Sequence, residues 1–142
     1  MILIDVNVLI YAHREDVADH PAYHRWLWET IDSPQSFGVS SLVLSGFLRV
    51  STHPRALRPP TPLAEALRFV ESVRAQANFV AVEPGRRHWG IFTELCRVAG
   101  AKGNLVSDAY FAAIAIESGS EWITTDGDYA RFPGLRWRHP LS

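Results

Sequence analysis

Short apolar segments alternate along the chain with longer stretches in which apolar residues recur every three or four positions. The segment Met1–Val6 is almost entirely apolar, a pattern typical of a strand buried on both faces of a parallel sheet. The segment Leu63–Gln76 instead has helical periodicity, and its apolar side is expected to include Leu67 and Val70. The pattern therefore predicts buried strands combined with amphipathic helices.

Turn-forming and capping residues set the bounds of the predicted elements. Strands are predicted over Met1–Val6, Phe37–Val39, Phe79–Val82, Glu121–Thr124 and Leu135–Arg138. Helices are predicted from about Asn7, over Pro21–Ile31, from a cap at Ser40 or Ser41 to about Ser51, over Leu63–Gln76 and Arg86–Val98, and from the turn Lys102–Asn104 to Gly119, with a short helix or turn over Asp126–Phe132. Helical units thus separate the successive strands.

The order of these elements predicts the fold class. Strands joined by helical crossovers pair in parallel, because a parallel connection needs about a dozen residues or more. We therefore expect an α/β fold, a three-layer α/β/α sandwich with a mostly parallel central sheet. The segment Leu135–Arg138 is expected to be an edge strand of that sheet.

Composition indicates one domain and excludes several classes of protein. With 142 residues, 47% of them hydrophobic, the chain is expected to fold as a single domain over residues 1–142. Its apolar stretches fall short of the roughly 20 residues that cross a bilayer, and Met1–Val6 lacks a secretory signal pattern, so we expect a cytoplasmic protein without a membrane segment. A net charge of −1 excludes a protein that coats nucleic acid. Any nucleic-acid contact should be local.

Three aspartates are expected at one end of the predicted sheet. Asp5 lies near the end of the first strand, and Asp126 comes just after the fourth. Asp108 lies in the first turn of its predicted helix. Ligands of open α/β sheets bind beyond the carboxyl ends of the strands. Converging carboxylates repel one another and lose hydration, and a divalent cation compensates for both effects. The aspartates together predict a metal site, although each alone is also compatible with a helix cap or a surface charge.

Three segments that bracket almost the whole chain are Ile2–Ile10, Val106–Ala115 and Thr124–Phe132. Their order and separations resemble the PIN domain family and, within it, the VapC toxins of bacterial toxin–antitoxin pairs. The resemblance implies a homodimeric endoribonuclease, dependent on Mg²⁺ or Mn²⁺, that cleaves a structured RNA such as tRNA or rRNA with a metal-activated water. It also implies inhibition by a cognate VapB-like antitoxin.

The resemblance also implies roles for individual residues. Asp5, Asp108 and Asp126 match the catalytic metal ligands of the family. Asn7 matches the polar companion of the first aspartate, and Thr124 belongs with Asp126 to the fourth element of the family motif. We expect Asn7 and Thr124 to shape the site.

One element of the family motif is different in this chain. The family usually has a glutamate on the helix after the second strand, where this chain has Gly46. Asp128 is a candidate replacement for the missing carboxylate. Arg49, three residues beyond Gly46 on the same helical face, is a candidate contact for an RNA phosphate. The substitution also keeps open an alternative function, a catalytically weakened PIN-like module that binds RNA or protein.

His20 and His24 raise a second hypothesis about metal binding. They stand four residues apart on a predicted helix, which is the spacing of a two-histidine zinc grip. No glutamate or third ligand follows in a recognised pattern. A surface or packing role is therefore the favoured interpretation.

Overall fold

The computed structural model describes residues 1–142, which form a five-stranded sheet and six α-helices. The strands are β1 (Ile2–Ile4), β2 (Phe37–Val39), β3 (Phe79–Ala81), β4 (Glu121–Ile123) and β5 (Trp137–Arg138). The helices are α1 (Val6–His13), α2 (His20–Asp32), α3 (Ser41–Ser51), α4 (Leu63–Arg74), α5 (His88–Ala99) and α6 (Asn104–Glu117), and a 3₁₀ helix spans Gly127–Arg131. None of these helices is both long enough and apolar enough to cross a membrane.

All strand pairs are parallel, and the strand order in the sheet is β3-β2-β1-β4-β5. The central strand is β1, whose Leu3 is in register with Gly38 on one side and with Trp122 on the other. From β1 the chain builds outward through β2 and β3, then returns to the other side of β1 for β4 and β5. The strand order therefore reverses beside the carboxyl end of β1, the position at which open α/β sheets bind ligands.

The expected three-layer α/β/α sandwich is confirmed, including the edge position of the last strand. The predicted elements are all present, with small displacements of their ends. One prediction about packing is wrong, because Leu67 is 40% exposed. The buried side of α4 consists of Ala66, Val70 and Val73 instead. Leu67 lies one position, about 100°, around the helix from Ala66, and α4 turns the smaller side chain toward the core.

Helix α6 is buried through small side chains. Ala109, Ala112 and Ala113 are fully buried, and such small residues allow the helix backbone to lie close to its neighbours. The helix also stacks Phe111 on Trp122 of β4, with ring centroids 5.7 Å apart. These contacts fix the first turns of α6, which carry one of the predicted site aspartates, relative to the end of β4.

The close packing of β2 leads to a prediction about stability. A Cβ added to Gly38 would lie 2.6 Å from Leu3 Cδ2 and 2.9 Å from Val82 Cγ2, both in the core. We expect Gly38→Ala to lower the free energy of unfolding by about 1–3 kcal/mol, because buried neighbours must shift to relieve the overlap. Urea denaturation at neutral pH measures this change.

The matched control is Gly90→Ala in α5, where an added Cβ meets nothing within 4 Å. This substitution should raise the free energy of unfolding by up to about 1 kcal/mol, because alanine is the better helix former. Equal effects of the two substitutions would contradict the packing described for β2.

Candidate metal centre

Asp5 forms the junction between β1 and α1. Only 5% of the residue is exposed, and it is the N-cap of α1, with its Oδ1 accepting a 2.7 Å hydrogen bond from the backbone N–H of Val6. Its Oδ2 accepts two more, from Thr124 Oγ1 at 2.7 Å and from Asn7 Nδ2 at 3.0 Å. The carboxylate is therefore held in one orientation, and Oδ1 keeps a lone pair for a further partner.

Asn7 and Thr124 connect this junction to the end of β4. Asn7 Oδ1 accepts a hydrogen bond from the backbone N–H of Thr125 at 3.2 Å. Thr124, which is fully buried, donates its hydroxyl proton to Asp5 and accepts from the backbone N–H of Asp126 at 3.1 Å. Both residues expected to shape the site thus lie beside Asp5, and they link the ends of two adjacent strands.

Asp108 is half-buried on α6. Because α6 begins at Asn104, Asp108 is the fifth residue of the helix, and the expectation that it belongs to the first turn is wrong. Its Oδ1 accepts a 3.4 Å hydrogen bond from the hydroxyl of Tyr129. Its Oδ2 has no hydrogen-bond partner within the protein, so that oxygen is available to a ligand.

Asp126 and Asp128 share the turn that begins the 3₁₀ helix. Asp126 is its N-cap, and its Oδ1 accepts a 2.9 Å hydrogen bond from the backbone N–H of Asp128. Asp128 is exposed, and its carboxylate makes no hydrogen bond within the protein. The turn therefore presents two neighbouring carboxylates, each with at least one oxygen available to a ligand.

One cavity of about 1050 Å³ brings the predicted site residues together. Its lining contains the four aspartates as well as Asn7, Gly46 and Arg49. Thr124, buried beneath Asp5, supports the site from outside this lining. Aromatic side chains form a further part of the lining, namely Tyr11, Phe92, Tyr110, Phe111 and Tyr129. The cavity thus combines an acidic region with apolar walls.

The charges of the carboxylates in the cavity favour the binding of a cation. Burial, together with the charge of Asp108, raises the pKa of Asp5 to about 6 against the lowering effect of its hydrogen bonds. Burial also raises the pKa of Asp108, followed by the charges of Asp126 and Asp128. No basic side chain is among the groups that shift either pKa. The protein itself therefore does not balance these carboxylates.

The donor set fits a divalent cation of the Mg²⁺ type. Such cations prefer oxygen ligands, retain several waters and are held by one or two carboxylates rather than by a complete protein cage. No three His, Cys, Asp or Glu side chains converge closely enough to hold an ion by themselves. The available carboxylate oxygens of Asp5 and Asp108 are therefore suited to a cation that is completed by water and substrate oxygens.

Gly46 lies where α3 packs against α1. A Cβ added at this position would lie 3.1 Å from Val6 Cγ2, which is a tight contact. Val6 is also the residue whose backbone N–H is capped by Asp5. Glycine therefore allows α3 to approach the Asp5 junction closely, although it brings no carboxylate to that side of the cavity.

His20 and His24 do not form a metal site. His20 Nδ1 lies 2.8 Å from the carbonyl oxygen of Tyr11, and His24 Nε2 accepts a 2.9 Å hydrogen bond from Trp28 Nε1. No third ligand joins them. These contacts agree with the surface or packing role favoured by the sequence.

Tyr129 is a cavity residue that the sequence interpretation missed. Its side chain is 1% exposed, yet its hydroxyl reaches the carboxylate of Asp108. The only sequence signal is a phenolic hydroxyl within the segment Thr124–Phe132, and a buried tyrosine is as readily explained by packing. Tertiary contacts were needed to distinguish the two roles.

Comparison with known proteins identifies the family. The PIN domain family model matches residues 2–135. The VapC ribonuclease Mb2897 of Mycobacterium bovis is 40% identical over 142 residues, which cover 100% of this chain and 97% of that protein. The chain belongs to the PIN-domain family, among the VapC ribonucleases.

Solved structures share the fold of this PIN domain. The VapBC-1 structure from nontypeable Haemophilus influenzae has a TM-score of 0.71 at 14% identity and covers 100% of both chains. A toxin–antitoxin complex from Klebsiella pneumoniae has a TM-score of 0.58 at 18% identity, covering 99% of this chain and 98% of that one. The expected family and fold are therefore confirmed. VapC nucleases of the PIN family depend on a divalent metal, in agreement with the unbalanced carboxylates.

The raised pKa of Asp5 predicts a pH-dependent loss of stability without metal. Its folded-state pKa of about 6 lies above the ordinary value of 3.8. The free energy of unfolding should therefore fall as the pH rises from about 4, because the carboxylate ionises, and this fall should level off above about pH 6. The free energy of unfolding of Asp5→Asn minus that of the unmodified protein should therefore increase by about 2 kcal/mol from about pH 4.5 to about pH 7.5. Urea denaturation in EDTA measures both proteins.

The control for this measurement is Asp32→Asn, at the exposed C-terminal end of α2. Its pH dependence should match that of the unmodified protein. A constant difference between Asp5→Asn and the unmodified protein at all pH values would refute the raised pKa.

Proposed function

We propose that this PIN domain, folded as a single unit over residues 1–142, is the toxin of a type II toxin–antitoxin pair. It is an endoribonuclease that uses Mg²⁺ or Mn²⁺ to hydrolyse a phosphodiester bond in a structured RNA such as tRNA or rRNA. The observation that carries this proposal is the cavity lined by Asp5, Asp108, Asp126 and Asp128, in which no basic side chain offsets the raised pKa of Asp5 or Asp108. The 40% identity to a VapC ribonuclease over the full chain supports the RNA substrate.

Asp5, Asp108 and Asp126 would hold the metal as catalytic residues together with water and substrate oxygens, because the three carboxylates do not converge closely enough to hold it alone. Asp128 is a further candidate ligand. A divalent cation in such a site lowers the pKa of an attacking water and neutralises charge that develops on the phosphate. Asn7 and Thr124 orient Asp5 through their hydrogen bonds to its Oδ2. These bonds favour the ionised form of Asp5, which is the form that binds a cation.

The rest of the cavity suits an RNA strand. Arg49 lines the cavity on α3 and is exposed, and a guanidinium can grip a phosphate through two parallel hydrogen bonds. Aromatic faces such as Phe92 and Tyr110 in the same lining offer stacking surfaces for unpaired bases. The RNA backbone would therefore lie between the acidic region and Arg49.

The alternative of a weakened binding module is not favoured. Gly46 removes one carboxylate from α3, but four others remain in the cavity lining. Two of them, Asp126 and Asp128, lie on one turn, so Asp128 can supply the negative charge that Gly46 does not. The full-length identity to a ribonuclease also favours an active enzyme.

Partners follow from the same family assignment. The structural likeness to a toxin–antitoxin complex supports a cognate VapB-like antitoxin. A homodimer is supported by large apolar side chains left uncovered on the surface, among them Leu63, 58% exposed, and Trp89, 68% exposed. A cytoplasmic location, where both RNA and an antitoxin are present, completes the proposal.

Removal of a metal-ligand charge should abolish RNA cleavage. The purified protein is incubated with total bacterial RNA in Mg²⁺, Mn²⁺ or EDTA, beside Asp5→Asn and Asp108→Asn. Cleavage should require the metal, and each substitution should lower its rate at least about 100-fold, because each removes an anionic oxygen that binds the cation. The exposed Asp32→Asn serves as the control with full activity. Metal-dependent cleavage that survives both site substitutions would place the active site elsewhere.

Separate substitution of Asp126 and Asp128 tests the replacement of the missing glutamate. Asn at position 126 keeps an oxygen for the cap of the 3₁₀ helix, so the turn should persist while the charge is lost. We expect each of Asp126→Asn and Asp128→Asn to weaken Mn²⁺ binding about tenfold in isothermal titration calorimetry. An unchanged affinity in Asp128→Asn would mean that Asp128 does not compensate for Gly46.

A further inference from the structure

Tyr129 occupies a buried position among other aromatic side chains. Its ring contacts Trp122, with centroids 5.6 Å apart, and Phe132, with centroids 5.9 Å apart. The residue is only 1% exposed, so its hydroxyl cannot rely on bulk water. A buried hydroxyl is costly unless it is hydrogen-bonded, which makes its partners informative.

The hydrogen-bond partner of this hydroxyl is a site carboxylate. Tyr129 donates to Asp108 Oδ1 at 3.4 Å. The phenol is thus oriented with its proton toward Asp108.

Tyr129 also joins two separate groups of carboxylates. Its backbone N–H donates to the carbonyl oxygen of Asp126 at 3.5 Å, within the turn that carries Asp126 and Asp128. Its side chain reaches across to Asp108 on α6. One residue therefore links the turn to Asp108, while leaving Asp108 Oδ2 available to a ligand.

We propose that Tyr129 is a positioning residue of the metal centre: its hydroxyl orients the Asp108 carboxylate beside the Asp126 turn, where both could contribute to holding a cation. The inference rests on the proposed function, since it assumes that Asp108 binds the cation. The bond of 3.4 Å is long for an O–H donor. Removal of this hydrogen bond should therefore weaken metal binding by about tenfold. This is the lower end of the roughly 10- to 100-fold effect of residues that orient metal ligands.

The test compares Tyr129→Phe with a matched control, Tyr23→Phe. Tyr23 is also buried, and its hydroxyl makes a 3.4 Å contact to His139 Nε2, away from the cavity. For Tyr129→Phe we expect about tenfold weaker Mn²⁺ binding by calorimetry and about tenfold lower kcat, with an unchanged KM for an RNA oligonucleotide that the unmodified protein cleaves. Tyr23→Phe should keep all three values. Thermal unfolding of both metal-free variants monitors packing.

The outcomes separate this inference from the proposed function. If Asp108→Asn binds Mn²⁺ as tightly as the unmodified protein, the metal site itself is misplaced and the proposed function fails. If Asp108→Asn loses Mn²⁺ affinity while Tyr129→Phe keeps it, the positioning role is overturned and the proposed function stands. A lower Tm for Tyr129→Phe with unchanged Mn²⁺ affinity also overturns the inference, because the hydroxyl then serves packing alone.

Discussion

A carboxylate buried at the end of the central strand constrains the rest of this structure. At that depth an aspartate is tolerated only if its oxygens have partners and its charge is balanced. The N–H of Val6 and the side chains of Asn7 and Thr124 supply the partners for Asp5. These hydrogen bonds do not balance the negative charge of Asp5, since its pKa remains raised to about 6. The burial of Asp5 thus accounts for its role as the N-cap of α1 and for the hydrogen bonds that connect it to the end of β4. It also explains why the site favours a cation.

The sheet topology brings the other acidic groups to the same place. Because β1 is paired with β4, Asp5 and Thr124 are in direct contact although they lie 119 positions apart in the chain. The turn after β4 then carries Asp126 and Asp128 into the cavity, and α6 carries Asp108. The parallel arrangement of strands thus assembles a site from residues at both ends of the chain.

The two sides of the cavity contribute different chemistry. Carboxylates come from the β1 and β4 junctions and from α6, whereas α3 contributes Arg49 and a glycine. A Cβ at position 46 would be in tight contact with the side chain of Val6, which must move by a few tenths of an ångström to admit it. Glycine at position 46 thus goes together with close packing of α1 against α3, and the carboxylates that line the cavity come from elements other than α3.

The sequence by itself determined the elements, the fold class and the acidic residues, because apolar periodicity and strand ends are local properties of the chain. It could not determine the rotation of α4, which exposes Leu67 and buries Ala66, since both choices satisfy helical periodicity. Nor could the sequence show whether the hydroxyl of Tyr129 contacts a site residue or belongs to a side chain that only packs in the core. Its contact with Asp108, like the approach of Gly46 to Val6, depends on which elements lie side by side. Only the tertiary structure decides such pairings, because they join residues that no local pattern connects.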